Sequence, residues 1–387
     1  MRKGPLTSIR IVEFAGIGPV PYGTMILADL GAQIIRIDRP SGYPAVAEDL
    51  DFDNMEVASV CNRSRRLVRV DLKKPEGRDL VLRLVAAADG LVEGYRPGTM
   101  ERLGLGPDAC LAANPRLAYV RTTGWGQAGP MASMAGHDLN YVAMSGVLSL
   151  FGRGGQAIRG VPPLMGDMAG GGLFTAIGIL AAVIEARSSG RGQVVDAAIV
   201  DGAASLAALV MGIDAASRRD PAAGPNLFDG SRHYYRTYRC SDGGAVSVGA
   251  IEPAFRRVLL ERLGLADDSD FTEPSAADEA KRHARLEAIF AGRPRDHWTA
   301  LFADGDGCVA PVLGLDEAAA CALNRARENF VRIDGVLQPA PAPRFSRTPG
   351  AISVSPREAS RPDAGSLADW GLGTEEIAAL ESAGVIG

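Results

Sequence analysis

The stretch Gly136–Gly172 reads GHDLNYVAMSGVLSLFGRGGQAIRGVPPLMGDMAGGG. It carries three groups suited to proton chemistry, His137, Asp138 and Asp167, and otherwise only two charges, Arg153 and Arg159. His137 and Asp138 open a segment with helical spacing of apolar residues at Leu139, Val142, Ala143 and Val147. Asp167 stands just before a glycine run and a long apolar helix expected over Gly170 to Ala186. An aspartate at that place is ordinarily an N-cap. The second reading is that two helix starts deliver an imidazole and a carboxylate to one pocket, where first-turn N–H groups can hold a developing oxyanion. That equipment suits removal of a proton from carbon beside a carbonyl.

Four cations suit a different task. Arg39, Lys73, Arg96 and Arg102 fall at or just after the ends of expected strands, and in open parallel sheets ligands bind at the carboxyl ends of strands. Arginine forks match phosphate oxygens. The run Asn62-Arg63-Ser64-Arg65-Arg66, with Lys73-Lys74 after a short strand, reads as a solvated basic loop or as part of a phosphate clamp.

The elements that must position these groups follow from periodicity. Ser8–Ala15, Gln33–Ile37, Leu67–Leu72, Gly90–Tyr95, Ala118–Thr123 and Gln193–Val200 read as strands. Between them, Tyr22–Leu30, Pro75–Ala88, Pro107–Ala113 and Gly170–Ala186 read as helices. The alternation predicts a Rossmann-like, doubly wound parallel sheet. Gly16–Gly23 after the first strand is a tight turn to a helix. Its spacing and its two prolines, which lack N–H groups, do not fit a dinucleotide cradle. Asp201–Ala216 reads as one helix and Ser217–Ser231 as a linker. From His233 the pattern turns local: a hairpin around Asp242-Gly243-Gly244, then helices over Pro253–Leu263, Ser275–Ala291 and Pro294–Phe302, a core strand at Cys308–Val312, and a helix over Leu315–Ala326. A smaller α+β domain is expected there. The boundaries fall at 1–215 for the large domain, 216–232 for a linker, 233–312 for the small domain, and 313–387 for a return linker and the rest of the large domain. Glu358–Leu372 reads as loose.

With 387 residues, 47% of them hydrophobic, the chain can bury a large core. A net charge of −5 excludes non-specific nucleic-acid binding as an expectation. Five cysteines without a CxxC pair suggest neither a disulfide framework nor a zinc site, so no metal is expected. Met1–Leu6 carries charge with no apolar run behind it, and the run Met168–Ile184 is short for a bilayer span. A soluble cytoplasmic protein without a membrane partner is the expectation. His233, His283 and His297 read as surface or packing residues, and the tyrosines 234, 235 and 238 as small-domain packing.

An ordered set of motifs resembles the family III CoA-transferase superfamily. They are Val12-Glu13-Phe14-Ala15-Gly16, Leu27-Ala28-Asp29-Leu30-Gly31-Ala32, the Arg63–Lys73 segment, Glu93-Gly94-Tyr95-Arg96-Pro97-Gly98, Thr123-Gly124-Trp125-Gly126, Gly136-His137-Asp138-Leu139-Asn140-Tyr141, Gly166-Asp167 and Gly190-Arg191-Gly192-Gln193-Val194-Val195-Asp196. His137 together with Glu252 in Gly249-Ala250-Ile251-Glu252-Pro253 is similar to the α-methylacyl-CoA racemase branch. The resemblance implies an interlocked homodimer, with the active site between the large domain of one chain and the small domain of the other. It implies His137, Asp167 and Glu252 as catalytic residues, Glu252 reaching His137 of the partner chain. It implies coenzyme A and substrate contacts at Arg39, Val70, Asp71, Leu72, Lys73, Gly94, Tyr95, Arg96, Arg102, Gly136, Asp138, Leu139, Asn140 and Tyr141. No cofactor is implied, coenzyme A being part of the acyl-CoA substrate. CoA transfer, with Asp167 as covalent nucleophile, and acyl-CoA binding without turnover are the alternatives. Relatives often have asparagine four residues before this aspartate, where Pro163 stands here.

Overall fold

The computed structural model describes residues 3–40, 59–152, 158, 160–216, 228–272 and 279–387. The irregular segment expected over Gly42–Val60 and the linker expected at 216–232 lie mostly outside these residues, as do Arg153 and Arg159.

Six strands form one parallel sheet: β1 (Arg10–Phe14), β2 (Gln33–Asp38), β3 (Arg66–Arg69), β4 (Gly90–Glu93), β5 (Ala118–Thr123) and β6 (Gln193–Ala198). Their order is β3-β2-β1-β4-β5-β6, so the chain reverses its winding between β1 and β4. Registers such as Val12↔Ile35, Val12↔Leu91 and Leu91↔Tyr119 place apolar residues side by side. Continuous apolar runs suit strands covered on both faces. One face takes Val12, Phe14, Ile35, Ile37, Leu91 and Tyr119 into a core with helix Pro75–Ala86. The other takes Ile9, Ile11, Ile34, Val92 and Val120 into a core with α1 (Pro19–Asp29) and a long helix ending at Ser189.

The segment expected to be loose closes the first of these cores. Leu367, Trp370 and Leu372 are buried there, with Ile377 of the last helix, Thr374–Ser382, and Val385 and Ile386 beyond its end. The backbone joins them, because Asp71 N–H donates to the Val385 carbonyl and Asp363 N–H to that of Leu67, at 2.9 and 2.7 Å. The tail therefore covers the β3 edge, which would otherwise present unpaired backbone groups. Its acidic residues masked an apolar face.

A second correction concerns the basic run. Arg63 and Arg65 are neither solvated nor free for phosphate. Arg63 pairs with Asp29 at 2.7 Å and Arg65 with Glu13 at 2.8 Å, each partner no more than 2% exposed. Arg63 also donates to Gln338 Oε1 and to the Pro339 carbonyl, tying in the C-terminal part. Desolvated charges of this kind require a partner in fixed geometry, and the two carboxylates lie some tens of residues upstream. Arg66 alone of the three stays half exposed, beside Asp363.

The helix expected from Gly170 begins earlier. A π-helical segment, Leu164–Leu173, runs directly into α2 (Phe174–Ser189). Pro163 is its N-cap, and the Pro163 carbonyl accepts from Met168 N–H, five residues on. Together they make the one helical run, Leu164–Ser189, that is long and apolar enough to cross a membrane among the described residues, and 44% of its apolar 18-residue stretch is buried inside the fold. After β6 the expected single helix is two, α3 (Ile199–Leu206) and α4 (Ala208–Ala216).

Compactness divides the chain into two units. One comprises Met1–Val147, Gly160–Ala207 and Glu328–Gly387, the other Leu148–Arg159 and Ala208–Arg327. The second unit holds an antiparallel sheet of Tyr235–Arg239, Ala245–Gly249 and Val309–Pro311, with the hairpin turn at Asp242-Gly243. Tyr238, Val248, Leu286, Phe290 and Trp298 fill its core. His233 is buried against Glu279, 2.9 Å away. Cys308, expected in a core strand, precedes the strand with a positive φ of 51° and is exposed. The helix expected over Leu315–Ala326 breaks at Cys321, which is extended.

Glycines set how closely the π segment approaches its neighbours. A Cβ on Gly202 of α3 would stand 1.9 Å from the Gly170 carbonyl oxygen. Gly202→Ala is therefore expected to lower stability by about 3 kcal/mol or more, since backbone cannot yield as a side chain can. Gly212→Ala, on a helix with open space at that point, should be neutral or stabilising by up to about 1 kcal/mol. Thermal melts of the two variants decide this, and equal melting temperatures would refute the close crossing.

Candidate active site

The reversal between β1 and β4 opens a crevice at the strand ends, where parallel sheets bind ligands. A cavity of about 280 Å³ lies there, lined by Gly16, Ile17 and Pro19 after β1, Gly94, Tyr95 and Arg96 after β4, and Thr122–Trp125 at the end of β5. His137, Tyr141 and Asp167 line it too. The imidazole and the carboxylate, thirty residues apart in sequence, thus face one space.

His137 is the N-cap of the helix Asp138–Met144, with extended backbone. Asn140 fixes this start, its Oδ1 accepting from His137 N–H at 3.0 Å. Tyr141 follows one turn on, and its hydroxyl donates to the Gly136 carbonyl. Its ring lies so close to Gly124 that a Cβ there would stand 2.1 Å away. Glycine is required at that point for the loop and the ring to coexist.

Asp167 sits in the first turn of the π segment, not at a helix cap as the simpler reading of the sequence had it. Its N–H donates to Asp138 Oδ1 at 2.6 Å. Asp138 is buried, and its Oδ2 has no hydrogen-bond partner among the described residues. The Asp167 carboxyl lies over Gly18, whose φ is +69° and where a Cβ would stand 2.8 Å from Oδ2. Burial pushes the Asp167 pKa up to about 6, the Asp138 charge adds to the rise, and His137 opposes it. Burial, with Asp167 next, also raises Tyr141.

A second cavity, about 670 Å³, borders the same crevice. Arg39, Val70, Asp71, Leu72, Lys73 and Tyr95 line it, with Asp38 and Thr99. Tyr95 lines both cavities. Arg102 is exposed and lines neither, donating to Thr99 Oγ1 at 2.9 Å. Leu139 and Asn140 also lie outside both linings, and Asn140 acts on the helix start. Glu252 is exposed, in the other compact unit, as the N-cap of helix Pro253–Arg262.

Sequence reading missed Ile17, Thr122 and Trp125 as lining residues. The strand-end rule that singled out the cations was the available signal for them, applied to uncharged side chains. Among the described residues no cluster of His, Cys, Asp and Glu could hold a metal ion.

The raised Asp167 pKa has a consequence for stability. Between the ordinary value of 3.8 and about 6 the folded chain holds more protons than the unfolded one, so this group costs stability as pH rises through that window. Asp167→Asn is expected to melt above the wild type near about pH 8 and to lose that gain toward about pH 4. Scanning calorimetry at both values checks it, and a gain independent of pH would show that the carboxyl is not desolvated.

Comparison with known proteins places these features in context. A model of the family described as CoA-transferase family III matches residues 6–365. The α-methylacyl-CoA racemase of Mus musculus is 38% identical over 388 residues, covering 97% of this chain and 96% of that protein. The α-methylacyl-CoA racemase of Homo sapiens is 37% identical over 387 residues, covering 98% and 97%. Among solved structures, a CAIB/BAIF family protein from Brucella suis superposes with a TM-score of 0.79 at 27% identity, covering 95% of this chain and 100% of that one.

Proposed function

The chain belongs to CoA-transferase family III, and from that premise we propose that it is an α-methylacyl-CoA racemase. It would interconvert (2R)- and (2S)-2-methylacyl-CoA thioesters by removing and returning the α-proton through an enolate. The observation that carries this reading is the shared cavity of His137 and Asp167. Racemisation needs one acid/base group on each face of the α-carbon, one protonated and one not.

A carboxyl whose pKa is about 6 can both accept and donate near neutral pH, which general acid–base catalysis requires. His137 has the ordinary chemistry for the opposite face. The thioester itself acidifies the α-carbon, so the reaction calls for no electron-sink cofactor. The Asn140 and Tyr141 N–H groups already donate to the His137 carbonyl, so the Asp138 and Leu139 N–H groups, which have no intrahelical acceptor, would stabilise the enolate oxygen. Glu252 would orient and charge the imidazole of the partner chain in a homodimer. The nucleotide end of coenzyme A would occupy the cavity with Arg39, Lys73 and Tyr95, leaving the thioester at His137 and Asp167. Arg102 would act at its rim.

The rival reaction is CoA transfer, in which Asp167 attacks the thioester carbonyl. It needs no base on the opposite face, so the placement of His137 favours proton transfer.

In D₂O, one epimer of a 2-methylacyl-CoA is expected to gain deuterium at the α-carbon and to epimerise without an acid acceptor. His137→Ala and Asp167→Ala should each abolish inversion, with losses on the order of 10²–10⁴. Glu252→Gln should lose less. If the site is shared, co-expressed His137→Ala and Glu252→Ala chains should regain activity, because one site of each mixed dimer keeps both residues. A hydroxylamine-trappable adduct on Asp167 with no α-deuterium would establish the transferase instead.

Nucleotide binding has its own test. Arg39→Ala should raise KM for acyl-CoA severalfold with little change in kcat, since the contact is equal in ground and transition states. An unchanged KM would remove Arg39 from the coenzyme A site.

A further inference from the structure

One polar atom beside the catalytic cavity has no task in the mechanism above. The indole Nε1 of Trp125 is buried and has no hydrogen-bond acceptor among the described residues, yet Trp125 lines the cavity with His137 and Asp167. A buried indole N–H ordinarily finds a partner, and an exception calls for an explanation. Gln127, two residues on, also has buried side-chain atoms without partners, but it does not line this cavity.

The ring is held in one orientation. Tyr141 meets it edge to face, centroids 4.7 Å apart and planes at 81°. Tyr141 is itself fixed by its hydroxyl on the Gly136 carbonyl. On the other side the indole presses on Gly136, where a Cβ would stand 2.9 Å from Cζ2 and 3.2 Å from Cε2. Cε2 is bonded to Nε1, so the edge that carries the donor is the edge held over the turn into His137.

We propose that Trp125 is a substrate-binding residue whose indole N–H donates to a carbonyl oxygen of the bound acyl-CoA. This rests on the reading that an acyl-CoA occupies the cavity. The acceptor is an oxygen that is neutral in the bound substrate, because the donor is single and uncharged. Two carbonyl classes in the ligand qualify: the thioester oxygen, which becomes the enolate oxygen, and the pantetheine amides.

Replacing Trp125 by benzothienylalanine, which puts sulfur where the indole N–H stands, keeps the bicyclic ring against Tyr141 and Gly136 and removes only the donor. Without ligand, the variant's melting temperature should equal or exceed that of the wild type, since an unpartnered donor has been taken out of the interior. Binding of 2-methylpropanoyl-CoA, whose α-carbon is not stereogenic, should weaken about tenfold by calorimetry, a fold-change typical of a lost hydrogen bond in a dry site. Free coenzyme A separates the sources. If it weakens equally, a pantetheine amide is the acceptor. If it is unaffected while kcat for 2-methylacyl-CoA falls, the acceptor is the thioester oxygen.

Affinity and kcat/KM both within about twofold of wild type would overturn the proposal, as would a loss of stability in the free variant, which would show a partner inside the fold. Binding is independent of turnover. A wild type that binds acyl-CoA but exchanges no α-proton would refute the racemase and leave the Trp125 assignment standing. An unaffected variant of an active racemase would refute only the assignment.

Discussion

Backbone touching backbone is the constraint on which this structure depends. The π segment crosses α1 and α3 at glycines: Gly170 meets Gly202, Gly172 meets Gly23, and Gly171 lies on Pro19. A Cβ on Gly23 would stand 2.4 Å from the Gly172 carbonyl oxygen, and one on Gly171 2.6 Å from Pro19 Cβ. Side chains of any size would push the three segments apart. Because they are not pushed apart, the Asp167 carboxyl is set down over Gly18 and its N–H reaches Asp138. A π turn adds a residue to each winding, and here the widened turn is the one that carries the carboxyl. The carboxyl is thus positioned by main chain, which has few ways to relax.

Charge is handled in two opposite ways within the same layer. Beneath the strand ends, Glu13 pairs with Arg65, Asp29 with Arg63, and Glu93 with Arg121. Glu93 also accepts from Tyr95 N–H at 2.7 Å, which shapes the loop where Gly94, Tyr95 and Arg96 line the cavity. These pairs are desolvated and satisfied, so they hold geometry. Asp138 and Asp167 are desolvated without a cation hydrogen-bonded to either among the described residues. The contrast gives Asp167 a proton affinity far from that of a surface aspartate, while Arg63 and Arg65, just before β3, serve only as mortar.

The two cavities share the wall at Tyr95. One is lined by Arg39 and Lys73 with Asp38, Asp71, Thr99 and apolar side chains such as Val70 and Leu72, the other by an imidazole, a carboxyl, Arg96 and aromatic rings. A ligand with phosphates at one end and a reactive carbon at the other matches that division. The change of winding between β1 and β4 puts both at the same edge of the sheet.

Much of this was legible in the residues themselves. Apolar runs of strand length alternating with amphipathic helices specify a doubly wound sheet, because a strand buried on both faces and a helix buried on one leave different periodic marks. His137, Asp167, Arg39, Lys73 and Arg96 stood out by type and by place at element ends. Other features were decided only when distant segments met. Arg63 and Arg65 look like surface charge until Asp29 and Glu13 are brought to them. The acidic stretch over Glu358–Leu372 looks loose until Leu367 and Trp370 find the sheet. The π segment exists because neighbouring glycines allow the approach, and nothing in its own periodicity distinguishes it from an α-helix. Trp125 gained its unpartnered donor from the way Tyr141 and Gly136 enclose it. Local sequence determines which elements form, since their hydrogen bonds and apolar stripes repeat over a few residues. Which charges pair, and which polar atoms are left facing a cavity, depends on contacts between residues far apart in the chain, and those were settled by the tertiary fold.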